Sequence, residues 1–249
     1  MNRTSRTMIL IALALVALLS CSQPETEKPA PAAPPAAAAP ETGPDPTAVD
    51  ADHYKVEFEN EQVRVVRITY GPGEQSVMHY HPENVAVFLT GSQVEFGMPD
   101  GSSEEVSPEA GQHAFAAAGQ HLPRNTGDEP LEVVLVELKS AGPQAGTPAG
   151  GEGPDPTVVD ADHYKTEFEN ERVRVIRISY GPGEESVMHY HPDNVAVFLT
   201  DHQVEFGMPD GSSAEVRAEA GTHEFALAGQ HLPKNIGDEP MELVLVELK

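Results

Sequence analysis

Six histidines in two matching patterns are the residues of this sequence best suited to bind a metal ion. A His-Tyr-His triplet occurs twice, each time between a Gly-Pro-Gly turn and an apolar run, and a Gly-Gln-His-Leu-Pro sequence follows each triplet. In a β-strand, residues i and i+2 point to the same face, so the two imidazoles of a triplet project together. Neutral imidazoles are ligands for Fe, Mn, Zn, Ni and Cu. We therefore predict two sites for a divalent metal ion, with the ligands His79, His81 and His121 in one and His189, His191 and His231 in the other.

The elements that must position these histidines are predicted to be short β-strands. Runs rich in β-branched and aromatic residues alternate with Gly, Pro and Asp turns, and no segment shows a sustained helical period. Strands at this regular spacing favour an all-β sandwich or jelly-roll barrel. In the first half of the chain the predicted strands are 54–58, 63–70, 76–81, 85–90, 94–98, 104–106, 113–117 and 131–138.

The chain contains an internal duplication. Residues 44–139 (repeat 1) and 154–249 (repeat 2) align without a gap at an offset of 110, and 19 of the 96 aligned pairs differ. The segment between them, 140–153, is rich in Gly, Pro and Ala, which is typical of a flexible linker. We predict two domains of equal length. Cleavage in the linker is expected to release two fragments, unless the domains pack into one unit, and domain packing is expected.

The N-terminus has the features of an export signal. Residues 1–20 carry two arginines and then a short apolar run, and Leu18-Leu19-Ser20-Cys21 resembles a bacterial lipoprotein lipobox. The resemblance implies cleavage before Cys21 and lipidation of its thiol, whereas the alternative is a plain signal peptide with an unrelated cysteine. Ser22 after the cysteine favours the periplasmic face of the outer membrane in the bacterial cell envelope. Residues 21–43, rich in Pro and Ala, are predicted to be an extended tether.

The net charge narrows the range of partners. The chain carries 15 basic and 40 acidic residues, a formal charge of −25. Such a surface repels nucleic acid and anionic headgroups. We therefore expect small molecules, metal cations or proteins as partners, no nucleic acid, and membrane contact only through the lipid anchor.

Both repeats resemble the cupin superfamily, and the pair resembles a bicupin. The resemblance implies two tandem cupin-type β-barrels (the double-stranded β-helix, or jelly roll), in which three histidines and usually a glutamate bind one divalent metal ion. The first cupin motif is matched by Gly73, His79, His81 and Gly91, the second by Gly111, Gly119, His121 and Asn125, and repeat 2 matches with Gly183, His189, His191, Gly221, Gly229, His231 and Asn235.

The usual glutamate ligand of the cupin pattern is missing here. Its place is taken by Asn84 in repeat 1 and by Asn194 in repeat 2, while Glu83 and Asp193 stand one position earlier and are predicted to point away. A metal-bound imidazole commonly needs a hydrogen-bond partner on its other nitrogen. The candidates for a fourth ligand or for such a partner are Asn84, Asn194, His113 and His223.

Other polar residues of the repeats have weaker functional signals. His53, His163 and His202 are expected on the surface. One arginine of each pair Arg64/Arg67 and Arg174/Arg177 should point inward, to pair with an acid or to bind a carboxylate substrate. Glu95 and Glu205 are candidates for a general base only if their strand faces inward.

Three functions remain open from the sequence, and no catalytic residue is assigned. The first is a metal-dependent enzyme, dioxygenase-like, acting on a small molecule. The second is a non-enzymatic envelope protein that binds a metal or a ligand, and the third is a structural pair of metal-free barrels.

Overall fold

The computed structural model describes residues 42–139 and 153–249. The predicted signal peptide, Cys21, nearly all of the predicted tether and linker residues 140–152 lie outside the described residues. Within the described part, no helix has the length and apolar character needed to cross a membrane.

Each repeat consists of one helical turn followed by nine β-strands, which confirms the predicted all-β class. Repeat 1 contains α1 (Pro46–Val49), β1 (Tyr54–Glu59), β2 (Val63–Tyr70), β3 (His79–His81), β4 (Asn84–Phe88), β5 (Val94–Gly97), β6 (Ser103–Val106), β7 (His113–Ala116), β8 (Gly119–Asn125) and β9 (Leu131–Leu138). Repeat 2 contains α2 (Pro156–Val159), β10 (Tyr164–Glu169), β11 (Val173–Tyr180), β12 (His189–His191), β13 (Asn194–Phe198), β14 (His202–Gly207), β15 (Ser213–Ala218), β16 (His223–Ala226), β17 (Gly229–Asn235) and β18 (Met241–Leu248).

The strands of each repeat form two antiparallel sheets. In repeat 1 the five-stranded sheet has the order β1-β2-β9-β4-β7 and the four-stranded sheet the order β3-β8-β5-β6. Repeat 2 has the same two orders, β10-β11-β18-β13-β16 and β12-β17-β14-β15. The four-stranded sheet carries the histidines, because β3 pairs with β8 and sets His79 opposite His121.

Alternation along the strands gives the five-stranded sheet two apolar faces. In β2, Val66 and Ile68 pack in the interior of repeat 1, whereas Val63 and Val65 pack in a second core. Side chains of a strand point alternately to the two faces, so both faces of this sheet must be covered. The four-stranded sheet of repeat 1 covers one face, and the five-stranded sheet of repeat 2 covers the other.

The second core is shared between the two repeats. It consists of valines of both five-stranded sheets, flanked by two stacked aromatic pairs, Phe58 with Phe225 and Phe115 with Phe168, each with ring centroids 5.3 Å apart. Its fully buried residues include Val65, Val87, Val134, Val136, Val175, Val197, Val244 and Val246.

Polar contacts at the edges of this core occur in pairs related by the duplication. Arg67 donates to the carbonyl oxygen of Gly221 at 2.6 Å, and Arg177 donates to that of Gly111 at 2.7 Å. Gly111 has a φ of 81°, a left-handed conformation that disfavours other residues, so this motif glycine is required by its backbone. Both repeats therefore belong to one compact unit.

Candidate metal centre

The three predicted ligands of each repeat converge on one point. His79 and His81 project from the same face of β3, and His121 projects from β8 beside them. The Nε2 atom of His79 lies 3.0 Å from Nε2 of His81 and 3.1 Å from Nε2 of His121. Repeat 2 repeats these distances with His189, His191 and His231. Within each trio the candidate ligand atoms lie within 4.8 Å of one another.

The hydrogen bonds of the Nδ1 atoms show that the Nε2 atoms are free to bind a metal. Nδ1 of His79 lies 2.8 Å from the carbonyl oxygen of Val77, and Nδ1 of His81 lies 2.6 Å from Oε1 of Glu137. Both partners only accept, so each Nδ1 must carry a proton. When both rings are neutral, the Nε2 atom of each ring carries a lone pair and no hydrogen. The two Nε2 atoms are 3.0 Å apart, and without a hydrogen between them they cannot form a hydrogen bond. A cation between them removes the repulsion between the lone pairs, so the residues present fit a divalent metal.

Burial keeps the imidazoles of His79 and His121 neutral, the form that ligates. Removal from water, and after it the repulsion that a protonated ring at His81 would exert, lowers the pKa of His79 to about 4. Burial, and after it the repulsion that protonated rings at His81 and His79 would exert, lowers the pKa of His121 to about 2. In repeat 2 the pKa values of His189 and His231 fall to about 4 and about 3 for the same reasons.

A chain of charged groups holds His81 in this orientation. Glu137, only 1% exposed, accepts from Nδ1 of His81 and, at 2.5 Å, from Nε of Arg64. Arg64 also donates to Asp45 at 2.6 Å, which extends the chain to the surface. Burial raises the pKa of Glu137, but the hydrogen bonds from His81 and Arg64 outweigh it and hold the pKa below its usual range. Glu247, Arg174 and Asp155 form the same chain with His191.

Sequence reasoning missed Glu137 and Glu247, although a signal was present. Each is an acid near the end of the most apolar strand of its repeat, Leu131–Leu138 or Met241–Leu248. Alternation places Glu137 on the same inward face as Leu135, where a carboxylate requires a partner.

A pair of buried tyrosines lies against the histidines. Tyr70 donates to the hydroxyl oxygen of Tyr54 at 2.6 Å, and that oxygen lies 3.1 Å from Nε2 of His79. Since Nε2 of His79 carries the lone pair, the Tyr54 hydroxyl is the donor. Burial raises the pKa of Tyr54 well above its usual value, so the hydroxyl stays protonated. Tyr54 was not singled out from the sequence.

The histidines lie at a cavity between the two sheets of each repeat. The cavity of repeat 1 has a volume of about 610 Å³ and that of repeat 2 about 380 Å³. His81, His121 and Asn84 lie in the first wall, which otherwise is mainly apolar. No Lys or Arg is among the described residues that line either cavity. The apolar part of the first wall includes Phe88, Val94, Phe96, Leu131, Val133 and Leu135.

The candidates for a fourth ligand differ in position. Asn84 is buried at the cavity and donates to the carbonyl oxygen of Pro82 at 2.8 Å, as Asn194 does to Pro192. His113 also borders the first cavity, but its Nε2 lies 3.1 Å from Glu167 of repeat 2, and its buried Nδ1 has no hydrogen-bond partner. His223 contacts Glu57 in the same way, and its Nδ1 is also unpaired.

Glu83 points away from the site, as predicted, and pairs with Arg172 of repeat 2. Asp193 likewise turns away and accepts from Gln62 of repeat 1 at 2.8 Å. Glu95 and Glu205 are absent from the described residues that line the cavities, whereas Val94 and Phe96 on either side of Glu95 are present. The condition for a general base on this strand is therefore not met.

The arginines are paired with acids. Arg64 is the inward member of its pair and binds Glu137, while Arg67 faces repeat 2 and binds Glu57 and Glu132. None of these arginines lines the histidine cavities, so the binding of a carboxylate substrate is not their role there.

One prediction about the remaining histidines was wrong. His202 is only 9% exposed and packs edge-on against Phe198, with ring centroids 4.6 Å apart. His53 and His163 are half-buried, and each contacts an aspartate, Asp50 or Asp160. The alignment offered no warning for His202, because repeat 1 has Ser92 at that position.

Comparison with known proteins identifies the fold. No protein-family model and no curated protein matches the sequence. Among solved structures, the W96F variant of oxalate decarboxylase from Bacillus subtilis is similar with a TM-score of 0.55 and 17% identity, over 76% of this chain and 69% of that chain. AerE from Microcystis aeruginosa is similar with a TM-score of 0.56 and 15% identity, over 84% of this chain and all of that chain. The chain has the bicupin fold.

A further similar structure concerns the Mn(II) centres of the same Bacillus subtilis decarboxylase, with a TM-score of 0.51 and 17% identity over 76% of this chain and 69% of that one. At such identities the likeness shows the fold alone. Each repeat has three histidines that could hold a divalent metal, and the identity of the metal is open.

Proposed function

We propose that this bicupin binds one divalent metal ion in each repeat and holds a small molecule beside that ion. The observation that carries the proposal is the pair of facing Nε2 lone pairs on His79 and His81, with His121 completing the trio. The same arrangement in repeat 2 supports a second site of equal composition. The Mn(II) centres of the similar decarboxylase make Mn one candidate beside Fe, Zn, Ni and Cu.

The residues of each site have separable roles in this proposal. His79, His81 and His121 would hold the ion, which would act as a Lewis acid toward an oxygen or nitrogen atom of the small molecule. Glu137 fixes the tautomer and the orientation of His81. The hydroxyl of Tyr54, protonated and 3.1 Å from Nε2 of His79, would lose that acceptor when the nitrogen binds the ion and could then donate to the small molecule.

The enzyme hypothesis and the binding hypothesis make different demands on the cavity. A dioxygenase-like enzyme can rely on the metal for most of its chemistry, so it needs few further groups. None of the described residues lining the first cavity is Asp, Glu, Lys or Arg, which leaves histidine and tyrosine as acid or base. This composition favours chemistry at the metal, or ligand binding without reaction, over catalysis by paired carboxylates.

Metal analysis of the purified mature protein tests the proposal directly. Wild type should bind about two equivalents, and His81→Ala about one, because two remaining imidazoles in an open site hold the ion weakly. His53→Ala is the matched control, because His53 contacts Asp50 outside the trio, and it should still bind about two. Failure of wild type to take up Fe, Mn, Zn, Ni or Cu after anaerobic purification would refute the proposal. Oxygen consumption by the iron-loaded protein with candidate small molecules then separates an enzyme from a binding protein.

We further propose that the protein is exported and lipid-anchored through Cys21 at the periplasmic face of the outer membrane. Support comes from the lipobox-like sequence before Cys21, the only cysteine in the chain, and from the Pro-rich and Ala-rich segment after it. Globomycin, which blocks lipoprotein processing, and Cys21→Ala should each leave an unprocessed or unlipidated form. A periplasmic protein without lipid on Cys21 would contradict the proposal.

A further inference from the structure

We infer that the two cavities accept small molecules with a largely apolar body and a single polar head group at the histidines, and that His202 restricts the second cavity to the smaller members of this class. The inference deepens the proposed function, because the head group is placed where the metal ion is proposed.

The walls of the cavities support an apolar ligand. Away from His81 and His121, aromatic and aliphatic side chains such as Phe88, Phe96 and Leu135 make up most of the first wall. Burial of apolar surface stabilises a complex by roughly 25 cal/mol per Å², whereas a second charged group placed against this wall would lose its hydration without a partner.

The arginines near the cavities are not available to pair with a second charged group of a ligand. Arg64 is held by Glu137 and Asp45, and Arg67 is held by Glu57 and Glu132. The formal charge of −25 adds a field that repels polyanions from the whole surface. A compact dicarboxylate therefore fits these cavities poorly.

Part of the difference in volume between the two cavities has a local cause at one end of the second cavity. In repeat 2, β14 begins at His202 and pairs with Ala218 at the end of β15. In repeat 1 the corresponding strands are shorter, since Val94 pairs with Val106 and the residue aligned with Ala218 is Pro108. Proline has no N–H group to extend the ladder. The first cavity extends to Ser107, Pro108, Gln112 and His113, whereas none of the aligned residues of repeat 2 lines the second cavity.

His202 fills this end of the second cavity. Its ring packs against Phe198, Nδ1 lies 3.2 Å from the carbonyl oxygen of Thr200, and the residue is part of the wall. In repeat 1 the aligned Ser92 instead donates to Oδ1 of Asn125 at 2.8 Å. Three further differences act in the same direction, because Glu224, Leu227 and Leu243 of the second wall are larger than the aligned Ala114, Ala117 and Val133 of the first.

Exchange of the residues at positions 92 and 202 tests the size restriction in the full mature chain. Equilibrium dialysis with 2-naphthol, an apolar probe with one hydroxyl, should give about one equivalent bound to wild type and about two to His202→Ser. Ser92→His should lower binding to near zero, whereas Ser92→Ala, which adds no bulk, should keep about one equivalent. The matched control is Ile236→Thr, which also installs the repeat 1 residue, but at a position outside the second wall.

Four results would overturn the inference. Two equal naphthol sites in wild type, or no gain with His202→Ser, would refute the restriction by His202. Oxalate that displaces naphthol at comparable concentration would refute the apolar ligand class. Metal uptake in both repeats without naphthol binding would refute the inference and leave the proposed function intact.

The same dialysis on protein stripped of metal with EDTA separates the inference about the cavities from the proposed metal-binding function. One naphthol site that His202→Ser doubles, in protein that takes up no metal, would support the inference while the proposed function fails.

Discussion

Glu137 is the residue on which the orientation of His81 depends, and it offers a test that leaves the ligands themselves unchanged. Glu137→Gln keeps the shape of the side chain and an acceptor for Nδ1 of His81 but removes the negative charge. Loss of such an outer partner typically weakens metal binding about 10-fold to 100-fold. We expect this loss in repeat 1 only, measured by competition with a chelator.

The control for this variant is Glu132→Gln on the same strand. Glu132 is 42% exposed and pairs with Arg67 on the opposite face. It should leave metal affinity unchanged at both sites. Equal metal affinity in wild type and Glu137→Gln would show that the charge of Glu137 does not support the site.

The depressed pKa values of His79 and His189, about 4 each, predict acid sensitivity of the metal-free protein. The unfolded chain takes up a proton on each residue near pH 6.5, whereas the folded chain does so only near pH 4. Stability therefore falls as the pH falls through this window and is fully present above it. At pH 5 the difference is about 2 kcal/mol for each imidazole.

Unfolding midpoints measured in EDTA at pH 7 and pH 5 check this expectation. The comparison is with the double variant His79→Asn/His189→Asn, which shares the acidic surface but lacks the two buried imidazoles. The midpoint of wild type should drop more than that of the double variant. Equal decreases in the unfolding midpoints of the two proteins would contradict the attribution of the acid sensitivity to His79 and His189.

Sequence reasoning located the residues whose relation is local and missed those whose relation is distant. The triplet spacing predicts that His79 and His81 share a face, because two residues of one strand must. Glu137 lies 56 positions from His81, and only the pairing of β9 in the sheet brings them together. The burial of His202 depends on the length of β14. Repeat 2 has Ala218 opposite His202, whereas repeat 1 has Pro108 at the aligned position and a shorter strand.

At the scale of elements, strand β8 depends on one buried side chain. Asn125, which is fully buried, donates to the carbonyl oxygen of Glu129 at 2.8 Å and accepts from Ser92 at 2.8 Å and from the Gly127 amide at 3.0 Å. Asn125→Ala would leave these groups unpaired, at a cost of about 1 to 3 kcal/mol for each one that stays buried. We expect a lower midpoint of urea unfolding and weaker metal binding in repeat 1, since β8 also carries His121.

The neighbouring Thr126→Ala supplies the comparison for Asn125→Ala. Thr126 is exposed, so its truncation should change stability by no more than about 0.5 kcal/mol. If the two variants unfold at the same urea concentration, the buried amide has no structural role.

The strands differ in how well the sequence predicts them. Val63–Tyr70 and Leu131–Leu138 are rich in β-branched and aliphatic residues and were predicted with the correct bounds. The segment Gly119–Asn125 was not predicted as a strand, because Gly, Pro and Asn disfavour strands and its pairing with β3 and β5 overrides that preference. The helical turn Pro46–Val49 was missed as well, although Asp45 caps it and Pro46 begins it.

At the scale of the whole molecule, the shared valine core predicts that the repeats stay together after the linker is cut. The duplication alone leads to the expectation of two separable fragments. Buried valines from both repeats and the stacked pairs Phe58/Phe225 and Phe115/Phe168 favour continued association. A protease site placed within 140–153 should yield fragments that co-elute in size-exclusion chromatography under native conditions.

A charge in the shared core should reverse that result. Val136→Asp buries a carboxylate without a partner at the centre of the contact, and the cut fragments should then separate. Glu137→Gln, one position along, serves as the control and should leave them associated. Separation of the cut wild-type fragments would contradict a stable contact between the repeats.

The contact between the repeats uses the same patch of each repeat twice, as a homodimer with two-fold symmetry does. Arg67 reaches Gly221 as Arg177 reaches Gly111, and the valines of the shared core are identical at aligned positions. Association of a dimer depends on the protein concentration. In this chain the two halves are covalently linked, so each half meets the other at an effective concentration on the order of millimolar, which is set by the short linker. Under that condition each half can acquire substitutions of its own without the risk of losing its partner. The 19 differences between the halves include the pair Ser92 and His202, of which His202 lines the second cavity, whereas the paired arginines and the valines of the shared core are unchanged.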